Sequence, residues 1–348
     1  MPIVGWYGWR QSEGSFKELF MPTSRTVLVL GSQGRLGSAA VAAFSQAGWK
    51  VHAQARRGAL SLPLSNTAGL ARAAEGASVL VYGVNPLYTR WDDELLLLAR
   101  QGMNIAQHLG ALFVLPGNVY AFGEGMPAVL QEDTPERPST RKGELRQQLE
   151  AELAERAARG DLRSLVLRAG DFYGHGQGNW FDLFIVKHLA KGRITYPGPL
   201  DVPHAWTYLP DFARAMVALA EAADGPAHER LHFPGHTLTG AELLAAIATA
   251  AQELGWPQPQ LRSDSLWAMR LIAPFVPQFK EILTQRYLWL RPHALDGARL
   301  RERLPHVPGM GHTLHETPLH EALKRSLRAL ELLPPGGVQA QKRAPSAL

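Results

Sequence analysis

The 348-residue sequence contains no cysteine. Disulfides, thiolate zinc sites and cysteine nucleophiles are thereby excluded, and the absence fits a reducing, cytoplasmic setting. No apolar run approaches the roughly 18 uninterrupted residues of a membrane span. The first twenty residues have no basic segment followed by an apolar one, so they do not read as a secretory signal. Charge of one sign is not concentrated either. The net charge is +5, from 36 Lys and Arg against 31 Asp and Glu, and the basic residues are scattered. A nucleic-acid binder gathers them on one face or in a tail, so none is expected here. The patterns HExxH, GxSxG and GxxxxGK[ST] are missing, which removes support for metallopeptidase, hydrolase and NTPase readings. Thirteen histidines form no tight ligand spacing. His312, His315 and His320 have no carboxylate in a defined frame, and no metal is expected.

What is present is an alternation of strands and helices. Thr26–Leu30 is a short apolar run that reads as a buried parallel strand. Leu36, Ala40, Ala43, Phe44 and Ala47 then recur at helical spacing, with Gly48 as a stop. Strands follow at 49–53, 79–82, 111–115 and 162–167, separated by helices at 68–75, 94–108 and along Leu145, Leu149 and Leu153. This order predicts an α/β doubly wound parallel sheet. Beyond residue 170 the pattern becomes irregular, with helices expected at 181–191, 210–222, 239–254 and 265–272. Asp211 reads as a residue of the N-cap region of the second of these. The expected organisation is an N-terminal extension (1–22), a dinucleotide-binding core (23–170, which some later segments rejoin), a smaller helix-rich C-terminal lobe (171–333) and a disordered tail (334–348).

The turn after the first strand, Gly31-Ser32-Gln33-Gly34-Arg35-Leu36-Gly37, has the spacing GxxGxxG. The first Gly permits the tight turn, the second removes a side chain where a pyrophosphate approaches, and the third lets the helix pack close. The N–H groups that open the helix then face the phosphates. Gly31, Gln33, Gly34, Arg35, Leu36 and Gly37 are the expected cofactor cradle. An NAD site usually ends its second strand with an acid for the ribose 2′-OH. Here the run is Ala53-Gln54-Ala55-Arg56-Arg57-Gly58. Arg56 and Arg57 suit a 2′-phosphate, so NADP is expected ahead of NAD.

These residues resemble the short-chain dehydrogenase/reductase superfamily in its extended, NAD-dependent epimerase/dehydratase-like branch, over about Thr26 to Leu330. The resemblance implies a Rossmann fold and places Asn85 and Pro86 beside the cofactor. Arg168-Ala169-Gly170-Asp171-Phe172-Tyr173-Gly174 matches the branch's exit from the sixth strand, and His204 to Arg214 the segment before its lobe helix. The resemblance also implies a Ser after the strand at 111–115 and a Tyr-x-x-x-Lys on the next helix, where the Tyr is acid/base and the Lys lowers its pKa. This sequence departs from that pattern. The Ser position falls on Asn118, Tyr on Lys142 and Lys on Arg146, with Glu150 where the family often has a Glu.

Four substitutes are candidates. Arg146 can bind the ribose but stays charged. Lys142 is either a solvated helix charge beside Glu144 or Glu150, or a desolvated acid/base. Tyr120 is a nearby phenol, either packed against its loop or active, and Asn118 can hydrogen-bond a carbonyl. The polar loop His175–Trp180 is expected to face the nicotinamide end, with His204 and Trp206 as further candidates for the cleft. Two functions follow: an NADP-dependent oxidoreductase or epimerase-like enzyme on a small carbonyl or sugar-type substrate, or a non-catalytic NADP-binding sensor or partner-binding protein. The partners expected are a small molecule and, as an assembly, a homodimer.

Overall fold

The computed structural model describes residues 25–222, 225–264, 266–304 and 316–330. The expected N-terminal extension, the tail and His312 and His315 lie outside them. The first half contains β1 (Thr26–Leu30), α1 (Arg35–Gln46), β2 (Lys50–Gln54), α2 (Thr67–Ala73), β3 (Val79–Tyr82), α3 (Trp91–Leu109), β4 (Leu112–Gly117), β5 (Val129–Leu130), α4 (Arg141–Ala158) and β6 (Arg163–Arg168). The second half adds β7 (Asp171–Tyr173), β8 (Arg193–Tyr196), β9 (Pro203–Tyr208), α5 (Leu209–Glu221), β10 (His228–His232), β11 (His236–Thr239) and α6 (Gly240–Glu253). It continues with β12 (Gln260–Ser263), α7 (Trp267–Ile272), α8 (Pro277–Thr284), α9 (Tyr287–Leu290), β13 (Ala294–Leu295), α10 (Ala298–Arg303) and α11 (Leu319–Ala329).

The central sheet is six-stranded and all parallel, in the order β2-β1-β3-β4-β6-β10. Its inner strands β1, β3, β4 and β6 are largely apolar on both faces because helices cover both, while the edge strands β2 (KVHAQ) and β10 (HERLH) are mostly polar. The two-residue period separates the faces. Val27 and Val29 of β1, Val79 and Val81 of β3, and Leu165 and Leu167 of β6 pack with Phe44 of α1 and Phe212 of α5. Leu28 and Leu30, Leu80 and Tyr82, and Val166 face the opposite layer with Met103 of α3 and Leu149 and Leu153 of α4. Each such fully buried Leu or Val contributes about 2 kcal/mol. Both α5 and β10 fall past residue 170 in sequence yet return to this sheet and its layer.

The remaining segments build a lobe at the C-terminal edge of the strands. It holds the sheet β11-β9-β7, the pairs β12-β8 and β13-β5, and a core where Tyr173, Trp206 and Trp289 meet α6 and α11. Among the described residues no helix is long and apolar enough to cross a membrane.

Three expectations are corrected here. The helix expected at 181–191 is a wide turn, Phe181–Ile185, closed by Val186 N–H to the Phe181 carbonyl, and a short 3-10 turn at Leu189–Lys191. The wider winding directs Phe181, Ile185, Val186 and Leu189 together into the lobe core. Asp211 is not a cap. It is the third residue of α5, 2% exposed, and accepts hydrogen bonds from the backbone N–H and hydroxyl of Thr317. The helix expected from residue 265 begins at Trp267, and Ser265 lies outside the described residues.

Candidate active site

The turn from β1 into α1 opens on the C-terminal edge of the sheet. Gly31 has φ +70°, a left-handed conformation that strains any other residue. A Cβ on Gly37 would lie 2.2 Å from the Gly31 carbonyl oxygen, so the helix packs where only glycine fits. Gly34 is the N-cap of α1, and no side chain caps that helix. Asn66, Thr140 and Thr239 cap α2, α4 and α6 with their side chains, whereas α3, α5 and α11 share the lack of a side-chain cap with α1. The N–H groups at the start of a helix have no intrahelical acceptor. Those of α1 are thus left available to a ligand, over an exposed Gly34 and Gln33. This fits a pyrophosphate.

Gln54, at the end of β2, locks this turn. It is 3% exposed. Its Oε1 accepts from Gly31 N–H at 3.1 Å, its carbonyl from Ser32 N–H at 2.8 Å, and its amide donates to the Leu62 carbonyl at 2.9 Å. Arg56 and Arg57 follow with exposed side chains, and Gln33 Nε2 donates to the Arg57 carbonyl at 2.9 Å. The turn and the arginine pair are therefore held side by side.

Arg35 and Leu36 point elsewhere. Leu36 packs on the core. Arg35 lies half-buried under the loop at Gly176. Burial pushes its guanidinium pKa down, against the pull of Asp182 and Asp171, and its Nη1 is buried without a hydrogen-bond partner. His175 in that loop hydrogen-bonds Ser38 of α1 at 3.0 Å. After β3, Asn85 is exposed and the Pro86 carbonyl accepts from the Trp91 indole at 3.1 Å.

Three other segments come together around Tyr88. Beyond β4, the Asn118 side-chain oxygen accepts from the Tyr120 backbone N–H at 3.1 Å, leaving its amide nitrogen to donate. The Tyr120 hydroxyl bonds that of Tyr88 at 2.7 Å. Burial pushes the Tyr120 phenol well above its usual range, and Tyr88 and Asp171 add to the effect. Burial likewise raises Tyr88, with its hydrogen bond to Tyr120 opposing.

On α4, Lys142 and Arg146 share one face, as their four-residue spacing requires. The solvated reading of Lys142 does not hold. It is 4% exposed, paired with Glu281 of α8, and its Nζ sits 5.2 Å from the Tyr88 ring centre. Arg146 stacks over Trp91 at 5.0 Å, and its Nε is buried without a partner. Glu150 holds the fully buried Arg168 through a 3.1 Å bond to Nε, a structural ion pair at the end of β6.

Past β6, the Asp171 side chain is 24% exposed, while that of His204 is 1% exposed. They meet at 3.0 Å. Trp206 is fully buried and belongs to the lobe core rather than the cleft. Sequence reasoning missed Gln54, Tyr88 and Glu281. It treated Asp171 as a landmark of the strand exit rather than a site residue. A polar residue ending an apolar strand was the available signal for Gln54; Glu281 had none. Among the described residues no three His, Asp or Glu converge as a metal would need.

No family model matches the sequence, and no curated protein matches it. Solved structures do match in fold. One is MoeE5 in complex with UDP-glucuronic acid and NAD, at 21% identity and TM-score 0.68, covering 88% of this chain and 99% of that one. Another is a partial consensus L-threonine 3-dehydrogenase, at 20% identity and TM-score 0.66 over 88% and 99%. A third is UDP-glucose 4-epimerase from Thermotoga maritima with UDP-glucose, at 16% identity and TM-score 0.65 over 88% and 98%. The architecture these proteins share with the chain is a Rossmann sheet with a lobe at its C-terminal edge.

Proposed function

We propose that this protein is an NADP(H)-dependent oxidoreductase or epimerase-like enzyme acting on a small carbonyl or sugar-type substrate, with the usual Tyr-x-x-x-Lys pair replaced. The observation that carries the reading is the uncapped start of α1, reached through Gly31, Gly34 and Gly37 and opening toward a polar cleft. The MoeE5 neighbour, bound to NAD and a sugar nucleotide, supports a pyridine nucleotide and a sugar-type ligand. The absence of an acid near the end of β2, with Arg56 and Arg57 exposed there, supports the 2′-phosphate.

When bound, the nicotinamide supplies or accepts hydride. The chain's own residues do the rest. The open turn of α1 holds the diphosphate, Arg56 and Arg57 the 2′-phosphate, and Arg146 the nicotinamide-side ribose. Asn118 donates its amide to a substrate oxygen, and the lobe residues over Tyr88 and Tyr120 exclude water. Lys142, neutralised by Glu281, does not move a proton in this reading. That same sequestration favours the second reading, a nucleotide-binding sensor without turnover.

Calorimetry with NADPH and NADH tests the proposal. NADPH is expected to bind more tightly, Gly34→Val to abolish uptake, and Arg56→Ser with Arg57→Ser to erase the preference. No uptake of either nucleotide overturns it. Uptake without turnover of any carbonyl or sugar nucleotide selects the sensor.

A further inference from the structure

The pair Asp171 and His204 has no role in the reading above, yet its hydrogen bonds carry a consequence. His204 is wedged between Trp289, stacked at 4.3 Å and 11°, and His293, whose ring centre lies 4.6 Å away. Its Nδ1 lies 3.2 Å from the Leu288 carbonyl, an acceptor only, so this contact is a hydrogen bond when Nδ1 carries a hydrogen. Its Nε2 lies 3.0 Å from Asp171 Oδ2. An ionised carboxylate is also only an acceptor. Both contacts are hydrogen bonds at once only if the pair holds one proton beyond those of a neutral imidazole and a carboxylate. One proton held between Nε2 and Oδ2 satisfies both ring contacts at once, next to a carboxyl group whose side chain is 24% exposed.

The surroundings leave this pair as the group suited to proton exchange. The charge of Asp171 reaches Arg35 of α1, Tyr88, Tyr120, Tyr196 of β8 and His293, among others. Arg35 and Arg146 stay charged. Tyr88 and Tyr120 are held neutral by burial. In their mutual bond one hydroxyl hydrogen is used, and the other is free to be donated. Lys142 is engaged by Glu281. His293 is too deeply buried to reach the cleft. Among the described residues Asp171 hydrogen-bonds through Oδ2 to His204, and its side chain stays 24% exposed.

We propose that Asp171 exchanges the substrate proton, with His204 as its positioning residue and proton partner, in place of the missing phenol–lysine pair. The inference rests on the nucleotide-dependent reading above. In the reducing direction, hydride from a reduced pyridine nucleotide forms the new C–H bond at a carbonyl carbon. The C–O π pair moves onto oxygen, and that oxygen takes the proton of the Asp171–His204 pair. The carbonyl is reduced to an alcohol, the nucleotide is oxidised, and the pair regains a proton from solvent at the exposed edge of Asp171. The reverse direction runs the same transfers backward.

The test has two arms. In protein labelled with ring-¹⁵N histidine, the His204 signals are assigned by their loss in His204→Gln. Both ring nitrogens are expected to be protonated in the wild type, or one with its proton visibly shared with the carboxyl. In Asp171→Asn the amide can donate to Nε2, so Nε2 is expected to become a plain acceptor. A wild-type Nε2 that is already a plain acceptor overturns the proposal, whatever the activity. The second arm follows NADPH oxidation with a panel of aldehydes, ketones, UDP-glucose and UDP-glucuronic acid. Asp171→Asn is expected to lower turnover about 100-fold or more while NADPH affinity by calorimetry stays within about two-fold, as expected for a residue that acts on the proton rather than the nucleotide. Turnover held within a few-fold overturns the proposal, as does a wild type that binds NADPH yet reduces nothing. Loss of NADPH binding in the wild type instead defeats the broader reading, and the ¹⁵N arm still decides the pair.

Discussion

The side chain of Gln54 reaches from the end of β2 to the backbone N–H of Gly31, 3.1 Å away, and pins the strand to the glycine turn. Its amide is also satisfied, by the Leu62 carbonyl. Gln54→Leu keeps the volume but leaves the part-buried Gly31 N–H and Leu62 carbonyl without their partner. The expected cost is about 2–4 kcal/mol of folding stability, read by urea unfolding. Weaker nucleotide uptake in calorimetry is expected alongside it.

Buried histidines make the protein acid-sensitive. His232 is held down to about 4 by burial and Arg168, and His293 to about 3 by burial and His204. Between those values and the ordinary 6.5 the unfolded chain binds protons the folded one does not, so stability rises with pH across that window. Unfolding midpoints are expected to be flat above about pH 6.5 and to fall steadily below it. The slope of each histidine is about 1.4 kcal/mol per pH unit. His232→Asn is expected to flatten the fall when melts at pH 7 and pH 5 are compared.

The buried phenols act at the other end of the scale. Tyr88, Tyr120 and Tyr173 are all raised by burial. Above pH 10 the folded chain keeps protons that the unfolded chain releases, so stability falls as pH rises. Phenolate absorbance is expected to appear together with unfolding rather than before it. Tyr88→Phe removes one partner of the 2.7 Å bond and is expected to cost about 1 kcal/mol in urea melts.

The pair Lys142–Glu281 ties α4 to α8. Lys142→Met leaves Glu281 partly in solvent, with its side chain 30% exposed. The expected loss is about 2 kcal/mol, below the range for a fully buried pair. Glu281→Gln strands the more buried partner and is expected to cost more. A double-mutant cycle in denaturant checks the coupling.

The Rossmann half was legible because its strands are short apolar runs and its helices keep a 3.6-residue period. Thr26–Leu30 and Val79–Tyr82 carry nothing else that could explain them. The glycine turn was legible because glycine spacing is a local property. The lobe was not. The stretch 181–191 has helical spacing, but tertiary packing of Phe181, Ile185 and Leu189 selected a wider turn. The cleft chemistry was legible only in part, because its pairings span the chain. Lys142 and Glu281 are 139 residues apart, and His204 and Asp171 are 33 apart. Helical or strand periodicity says nothing about such meetings.

The placement of β10 beside β6 has a bearing on biosynthesis. Leu167 leaves the ribosome well before Leu231, so the nascent sheet spends an interval with a fully formed apolar strand bare on one side. Such an edge is a template for pairing with another chain. Premature termination after β6 is therefore expected to yield aggregating fragments rather than a free-standing nucleotide-binding unit.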